Sequence, residues 1–285
     1  MVTEKRHIHV GGQDGIAPMC IGDGALLVIA GPCVIESHKR TVHIARSLRD
    51  VCARVGLPFV FKASFDKANR TSVTSYRGPG LESGLECLAT IRNDLQVCVT
   101  TDVHDVNQVG PVADVVDLIQ IPAFLCRQTD LLVAAGASGR PVNIKKGQFQ
   151  APWDMKAVLT KAQGPDGAPV MLTERGSSFG YNNLVADMRS LPQMASMGVP
   201  VCFDATHSTQ LPGSVGDRTG GDREMAKSLA RAAVAVGVDA VFLEVHDEPD
   251  AALSDAASQL RLDDVESLLM QLKAIHQLVV HRSLA

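Results

Sequence analysis

The sequence predicts an α/β protein built as a (β/α)8 TIM barrel with an N-terminal β-hairpin, and three observations predict it. Eight short apolar runs rich in Val, Ile and Phe recur along the chain. That composition suits strands buried on both faces of a parallel sheet. A segment with apolar residues at helical spacing follows each run, the alternation of βα units. Each run also ends in charged or metal-capable side chains, so these groups share one rim, the C-terminal face where such barrels carry their sites.

The chain has 285 residues, and a barrel of this kind takes about 250. Residues 1–285 are therefore expected to form a single barrel domain, with residues 1–25 as a hairpin extension. Ile8–Val10 and Met19–Ile21, separated by Gly11-Gly12, are expected to pair and to plug the N-terminal end of the barrel. The first strand is expected over Leu27–Cys33. A helix follows over Glu36–Val55, with Val42, Ala45, Leu48, Val51 and Cys52 at helical spacing and a stop at Gly56-Leu-Pro58. Phe59–Lys62 is the second strand, and Leu81–Leu95 its helix. Val97–Asp102 precedes a helix over Asp105–Ala113, and Val115–Gln120 precedes one over Thr129–Ala137. Pro141–Lys145, Pro169–Arg175, Pro200–His207 and Ala240–Glu244 complete the strands. Their helices are expected over Pro152–Gln163, Leu184–Met197, Arg223–Val236 and Asp263–Val280. Two connections are long: Ala63–Gly80, basic and polar, and Ser208–Asp222, rich in Gly. Long loops at the functional rim tend to be lids or substrate clamps.

Composition excludes several classes. The net charge of -4 argues against a nucleic-acid partner, which calls for a basic stripe. No run approaches the ~20 apolar residues of a membrane helix, and Met1–His7 lacks the apolar stretch of a signal peptide. The 7 cysteines, without CxxC pairs, suit reduced thiols and a cytoplasmic location. Cys98 and Cys202 fall mid-strand and read as small core residues, and Trp153 and Tyr181 as packing residues.

Two constellations carry chemistry. Lys62, Lys67, Arg70, Arg127, Lys145, Lys146 and Arg175 fall at or just after strand ends. Cations converging on one barrel mouth call for an anionic ligand, and their number suits two phosphate or carboxylate groups. Lys146 is the weaker candidate, because strand alternation turns it away from Lys145. The second constellation is Cys33, His207, Glu244 and, within loop reach, Asp255. The first three end neighbouring strands of a closed barrel, and this donor set suits Zn(II), Fe(II) or Mn(II). The alternative is a buried thiol, a hydrogen-bonded His and two solvated acids. His104 and His246 are further strand-end histidines, more simply structural.

Several motifs resemble one family. Phe65-Asp-Lys-Ala-Asn-Arg-Thr-Ser72 resembles the Lys-Ala-Asn-Arg signature of 3-deoxy-D-manno-octulosonate 8-phosphate synthases. Gly31-Pro-Cys33, Ile119-Gln-Ile-Pro-Ala-Phe-Leu125, Ser178-Phe-Gly-Tyr-Asn-Asn-Leu184, Asp204-Ala-Thr-His-Ser208 and Ala252-Leu-Ser-Asp-Ala256 match the same family in order. The sister family, 3-deoxy-D-arabino-heptulosonate 7-phosphate synthase, typically has Lys-Pro-Arg where this chain has Lys67-Ala-Asn-Arg70, and is the alternative.

The resemblance implies condensation of phosphoenolpyruvate with arabinose 5-phosphate and water, a step toward lipopolysaccharide. It implies a phosphoenolpyruvate site of Lys62, Lys67, Lys145 and Arg175 with Gln120 nearby. It implies a sugar-phosphate clamp of Asn69, Arg70 and Thr71, with Asp102 and Asp204 facing the sugar. The family commonly has Ser at position 71, and Thr keeps the hydroxyl. Arg127 resembles a residue lent by a neighbouring subunit, so a homotetramer is implied. Cys33, His207, Glu244 and Asp255 match metal ligands, and Cys33, where metal-independent members have Asn, implies one divalent metal per subunit (Zn, Fe, Mn or Co). Cys33, His207, Lys145 and Asp255 are the residues expected to act on the reacting groups.

Overall fold

A computed structural model describes residues 7–70, 72–215 and 218–283. Its chain opens with β1 (Ile8–Val10) and β2 (Met19–Ile21), antiparallel with Ile8 opposite Ile21. The barrel follows: β3 (Leu27–Gly31), α1 (His38–Val55), β4 (Phe59–Lys62), α2 (Leu81–Leu95), β5 (Cys98–Asp102), α3 (Val106–Val115) and β6 (Leu118–Ile121). Next come α4 (Thr129–Gly136), β7 (Val142–Lys145), α5 (Met155–Gln163) and β8 (Val170–Glu174). A two-residue pair, β9 (Ser177–Ser178) with β10 (Leu184–Val185), precedes α6 (Ser190–Ala195) and β11 (Val201–Asp204). A hairpin of β12 (Gln210–Val215) and β13 (Arg218–Gly221) leads to α7 (Arg223–Val236), β14 (Ala240–His246), β15 (Leu260–Arg261) and α8 (Val265–Ser283).

The parallel strands pair in the order β3-β4-β5-β6-β7-β8-β11-β14, and β14 returns to β3 with Glu244 opposite Gly31, closing the barrel. Strand alternation then sorts the side chains into two layers. Val28, Ala30, Phe61, Val99 and Ile119 join the apolar layer under the helices. Leu27, Ile29, Val60, Cys98, Leu118, Met171, Cys202 and Phe242 fill the interior, where Ile8, Val10, Ile16 and Ile21 of the hairpin segment pack against them. The hairpin thus plugs the barrel, as its position in the sequence predicts, and Cys98 and Cys202 are core residues.

Local chemistry sets the helix ends. Ser37 accepts from the Arg40 amide at the start of α1, Asp105 from Asn107 at α3 and Asp222 from Met225 at α7. Gly56 and Gly237 end α1 and α7 at positive φ, the left-handed turn that suits Gly. At Gly31 a Cβ would meet the Lys62 carbonyl oxygen at 1.9 Å, so only Gly lets β3 and β4 approach at the rim.

The helix expected over Leu184–Met197 shrinks to Ser190–Ala195. Gly180 and Asn182 adopt positive φ, and the turn they make pairs β9 with β10 instead. The expected strand start at Val115 shifts to Leu118, because Val115 belongs to α3 and the Asp117 carboxylate takes the Val99 amide and the Arg92 guanidinium. The Ser208–Asp222 connection is not open loop but holds the β12–β13 hairpin.

Candidate active site

The strand ends bring most of the expected residues to one rim. Lys62 ends β4, Asp102 ends β5, Lys145 ends β7 and Asp204 ends β11, while Gln120 lies in β6 and Glu244 in β14. All are buried. Arg175 directly follows β8, and Cys33 lies two residues beyond β3.

The potential ligand atoms of Cys33, Glu244 and Asp255 lie within 4.8 Å of one another. His207 joins them from the turn after β11: its Nε2 is 3.4 Å from Glu244 Oε1 and 3.8 Å from Asp255 Oδ2. Cys33 Sγ donates to Ser254 Oγ at 2.9 Å and Asp255 Oδ2 at 3.3 Å. Burial, then the Asp255 and Glu244 charges, push the Cys33 thiol well up. Glu244 Oε2 is buried without a hydrogen-bond partner among the described residues. A thiol, an imidazole and two carboxylates, one with an orphaned oxygen, fit a borderline-soft divalent metal. Asp255 sits at φ 46, a conformation costly for a non-Gly residue and frequent at functional sites.

Around this cluster the charges alternate. Lys62 Nζ donates to the Cys33 carbonyl and to Glu244 Oε1, each at 2.9 Å, and Lys67 Nζ is 3.8 Å from the same oxygen. Lys145 Nζ donates to Asp204 Oδ2 at 2.5 Å and stands 3.5 Å from the centre of the Phe242 ring. His207 Nδ1 is 2.7 Å from Asp204 Oδ2. Burial opposes ionisation of Glu244 and Asp204. The charges of His207 and Lys62 at Glu244, and of His207 and Lys145 at Asp204, outweigh it and hold both carboxyls low. Burial pulls Lys145 down, against the attraction of Asp204.

Arg175 differs from the lysines. Its buried guanidinium donates from Nη2 to an amide, Gln210 Oε1, at 2.7 Å, and Nη1 has no hydrogen-bond partner among the described residues. Gln120 Oε1 is likewise buried and unpartnered. Buried polar groups normally find partners, so these two atoms are left with unused hydrogen-bonding capacity at the rim.

The residues expected to face the sugar divide into buried and exposed ones. Asp102 accepts from Ser64 Oγ at 2.5 Å, and His104 Nε2 lies 2.9 Å from its other oxygen. Burial raises the Asp102 carboxyl, but His104 and the Lys67 charge outweigh it and hold it well below the usual range. Asn69 is exposed. Arg70 points its guanidinium to the backbone carbonyls of Tyr76, at 3.0 Å, and Leu253, at 2.7 Å. The expected clamp is therefore not assembled on the rim, and Thr71 lies outside the described residues. Arg127 is exposed beyond β6.

Three expectations from the sequence are corrected or refined here. Lys146 is buried and tied to the Gln150 carbonyl, Ser177 Oγ and Glu174 rather than to the mouth. Trp153 and Tyr181 are 66% and 99% exposed, so neither packs within the chain. His104, read as more simply structural, proves to be the hydrogen-bond partner of Asp102. Sequence reasoning missed Ser64, Gln210, Ser254 and Gln259. Gln259 accepts from the Cys33 amide at 3.1 Å. These are short or neutral polar side chains with no charge to single them out.

The sequence profile of the DAHP synthetase I family matches residues 5–281. A 2-dehydro-3-deoxyphosphooctonate aldolase of Citrifermentans bemidjiense is 56% identical over 275 residues, covering 96% of this chain and 98% of its own. The protein of the same name from Desulfotalea psychrophila is 55% identical over 268 residues, covering 94% and 96%. That from Geobacter sulfurreducens is 54% identical over 258 residues, covering 90% and 95%. With near full-length agreement of this kind, the chain belongs to the DAHP synthetase I family.

Proposed function

We propose that this chain condenses phosphoenolpyruvate with D-arabinose 5-phosphate and water to give 3-deoxy-D-manno-octulosonate 8-phosphate and phosphate. The observation that carries the reading is the incomplete anion site on the rim. The buried, unpartnered Arg175 Nη1 lies in the same charged network as Lys62, Lys67 and Lys145 and the Cys33–Glu244–Asp255 cluster. The names of the relatives and the Lys67-Ala-Asn-Arg70 motif favour the five-carbon sugar over erythrose 4-phosphate, the substrate of the sister enzymes.

In the reaction, C3 of phosphoenolpyruvate bonds to the aldehyde carbon and the aldehyde oxygen takes up a proton. Water adds its oxygen at C2 and the C2–O bond to phosphate breaks; one water proton balances the one taken up by the aldehyde oxygen and the other leaves with the phosphate. Lys62, Lys67, Lys145 and Arg175 bind the anionic ends of phosphoenolpyruvate and relieve its repulsion from the second anion. Asp102, oriented by Ser64 and His104, and Asp204, oriented by His207, hold the sugar. Lys145, whose hold on its proton burial weakens, supplies a proton at Nζ. Cys33, His207, Glu244 and Asp255 would hold one divalent metal, a Lewis acid that polarises the aldehyde and lowers the pKa of water. Arg70, once released from the Tyr76 and Leu253 carbonyls, takes the sugar phosphate with Asn69 and Thr71.

Homotetramer assembly and a cytoplasmic location complete the proposal. Phe124, Phe149, Trp153, Phe179 and Tyr181 are exposed on the connections that follow β6, β7 and β8, the first of which also carries Arg127. A neighbouring copy covering these rings would carry Arg127 into the adjacent site. No helix among the described residues is long and apolar enough to cross a membrane.

The test is phosphate release from phosphoenolpyruvate with arabinose 5-phosphate, with and without chelator, and again with erythrose 4-phosphate. Chelator-sensitive release with a higher kcat/KM for arabinose 5-phosphate is expected. A clear preference for the four-carbon sugar would move the chain to the sister activity.

A further inference from the structure

We propose that Gln210 is a positioning residue that couples the anion end of the site, at Arg175, to the metal ligand Asp255. The inference rests on the roles proposed above for those two residues. Gln210 begins β12 and is 7% exposed. Its Oε1 accepts from Arg175 Nη2 at 2.7 Å, and its Nε2 donates to Asp255 Oδ2 at 2.9 Å.

The amide can face only one way. A guanidinium only donates and a carboxylate only accepts, so oxygen must meet Arg175 and nitrogen must meet Asp255. An ionised Glu would satisfy Arg175 but repel Asp255, and a Lys would do the reverse. Gln spans a cation and an anion without adding charge to either. Asp255 needs such an anchor, because its backbone sits at φ 46 and its Oδ2 is otherwise met only by the Cys33 thiol at 3.3 Å and, more distantly, His207 Nε2 at 3.8 Å among the described residues.

The backbone reinforces the link. Gln210 pairs with Gly221 across the hairpin, and a Cβ at Gly221 would meet Ser258 Cβ at 2.9 Å. The Ser258 amide in turn donates to the Asp255 carbonyl at 3.0 Å. The base of the hairpin and the ligand-bearing turn are thus packed as one unit. An anion that takes up Arg175 Nη1 fixes the guanidinium, then the amide, then the ligand oxygen. Phosphoenolpyruvate and metal should therefore each tighten the binding of the other.

Co(II) titration of the chelator-stripped full chain, followed by its optical bands with and without phosphoenolpyruvate, tests this. In the unmutated protein phosphoenolpyruvate should tighten Co(II) by at least about 5-fold. Gln210→Ala and the near-isosteric Gln210→Met should each weaken Co(II) by roughly 10- to 100-fold and bring the effect of phosphoenolpyruvate close to none. Thermal melting checks that both variants stay folded. Gln210→Met with wild-type affinity and coupling would show that Gln210 only fills space and would overturn the inference. So would an unmutated protein that binds both ligands without coupling. If the unmutated protein neither binds phosphoenolpyruvate nor releases phosphate from it, the proposed function fails first and this inference with it.

Discussion

At the scale of single residues, a shared oxygen organises the site. Glu244 Oε1 faces Lys62 at 2.9 Å, His207 at 3.4 Å and Lys67 at 3.8 Å. Two cations and a candidate ligand therefore compete for one atom, while Oε2 is left over. Such a carboxylate is useful only if another positive centre takes its free oxygen. Cys33 is the decisive neighbour, because a thiolate ligand favours Zn(II) or Fe(II) over Mg(II). Cys33→Ala should lose metal and activity while keeping its melting temperature, since the residue lies on the rim and outside both apolar layers. Cys33→Asn should retain measurable activity that no longer responds to chelator, with the amide holding sugar or water in the thiol's place. Metal analysis beside activity decides it, and full metal content in Cys33→Ala would remove this residue from the ligand set. At the anion end, Lys145→Ala and Arg175→Ala should each weaken phosphoenolpyruvate use. A lost charge-assisted contact costs about 1.5–3 kcal/mol, or roughly 10- to 100-fold in kcat/KM. Unchanged kinetics in either variant would remove that residue from the site.

At the scale of elements, the barrel divides labour between its two ends. One end is dry: Ile8, Val10, Ile16 and Ile21 close it over Leu27, Ile29 and Phe242. The other end is charged. The two are therefore expected to fail separately. Ile21→Ala removes a fully buried side chain from the plug and should lower unfolding free energy by about 2–5 kcal/mol. It should leave the KM for phosphoenolpyruvate unchanged, because among the described residues the hairpin side chains pack on the interior apolar layer rather than on the rim network. A urea midpoint beside a KM measures both, and a raised KM would show that the plug shapes the site. The same division explains what the sequence made legible. Strands buried on both faces are continuous apolar runs, and a charge at the end of each run marks the rim, so Lys62, Lys145, Arg175 and Glu244 were readable. The β9–β10 turn was not, because Ala186, Met188, Leu191 and Met194 keep helical spacing while Gly180 and Asn182 impose a turn. Gln210, Ser254 and Gln259 were hidden for another reason. Their importance comes from partners thirty-five or more residues away, and a neutral polar side chain has no signature without its partner.

At the scale of the whole molecule, the site is unfinished in one direction. The proposed phosphoenolpyruvate side is assembled within the chain. The proposed sugar-phosphate side is not: Asn69 and Arg127 are exposed, Arg70 is spent on two backbone carbonyls, and Phe124, on the same connection as Arg127, is exposed as well. Exposed aromatic clusters of this kind mark protein–protein contacts. If neighbouring copies meet there, each site borrows Arg127 from another chain, and activity becomes a property of the pair. Complementation in mixed oligomers tests this directly. Arg127→Ala and Lys145→Ala chains, each at about a tenth of wild-type activity or less alone, are co-expressed. A site on an Arg127→Ala chain keeps its own Lys145 and regains Arg127 from a Lys145→Ala neighbour. With random mixing and one donor neighbour per site, roughly a quarter of wild-type activity should return. Trp153→Glu combined with Tyr181→Glu should place charge on the contact, shift sedimentation toward smaller species and abolish the recovery. Mixtures no more active than their components would confine Arg127 to its own chain, and full activity in a monomeric Trp153→Glu, Tyr181→Glu variant would show that one barrel completes the site alone.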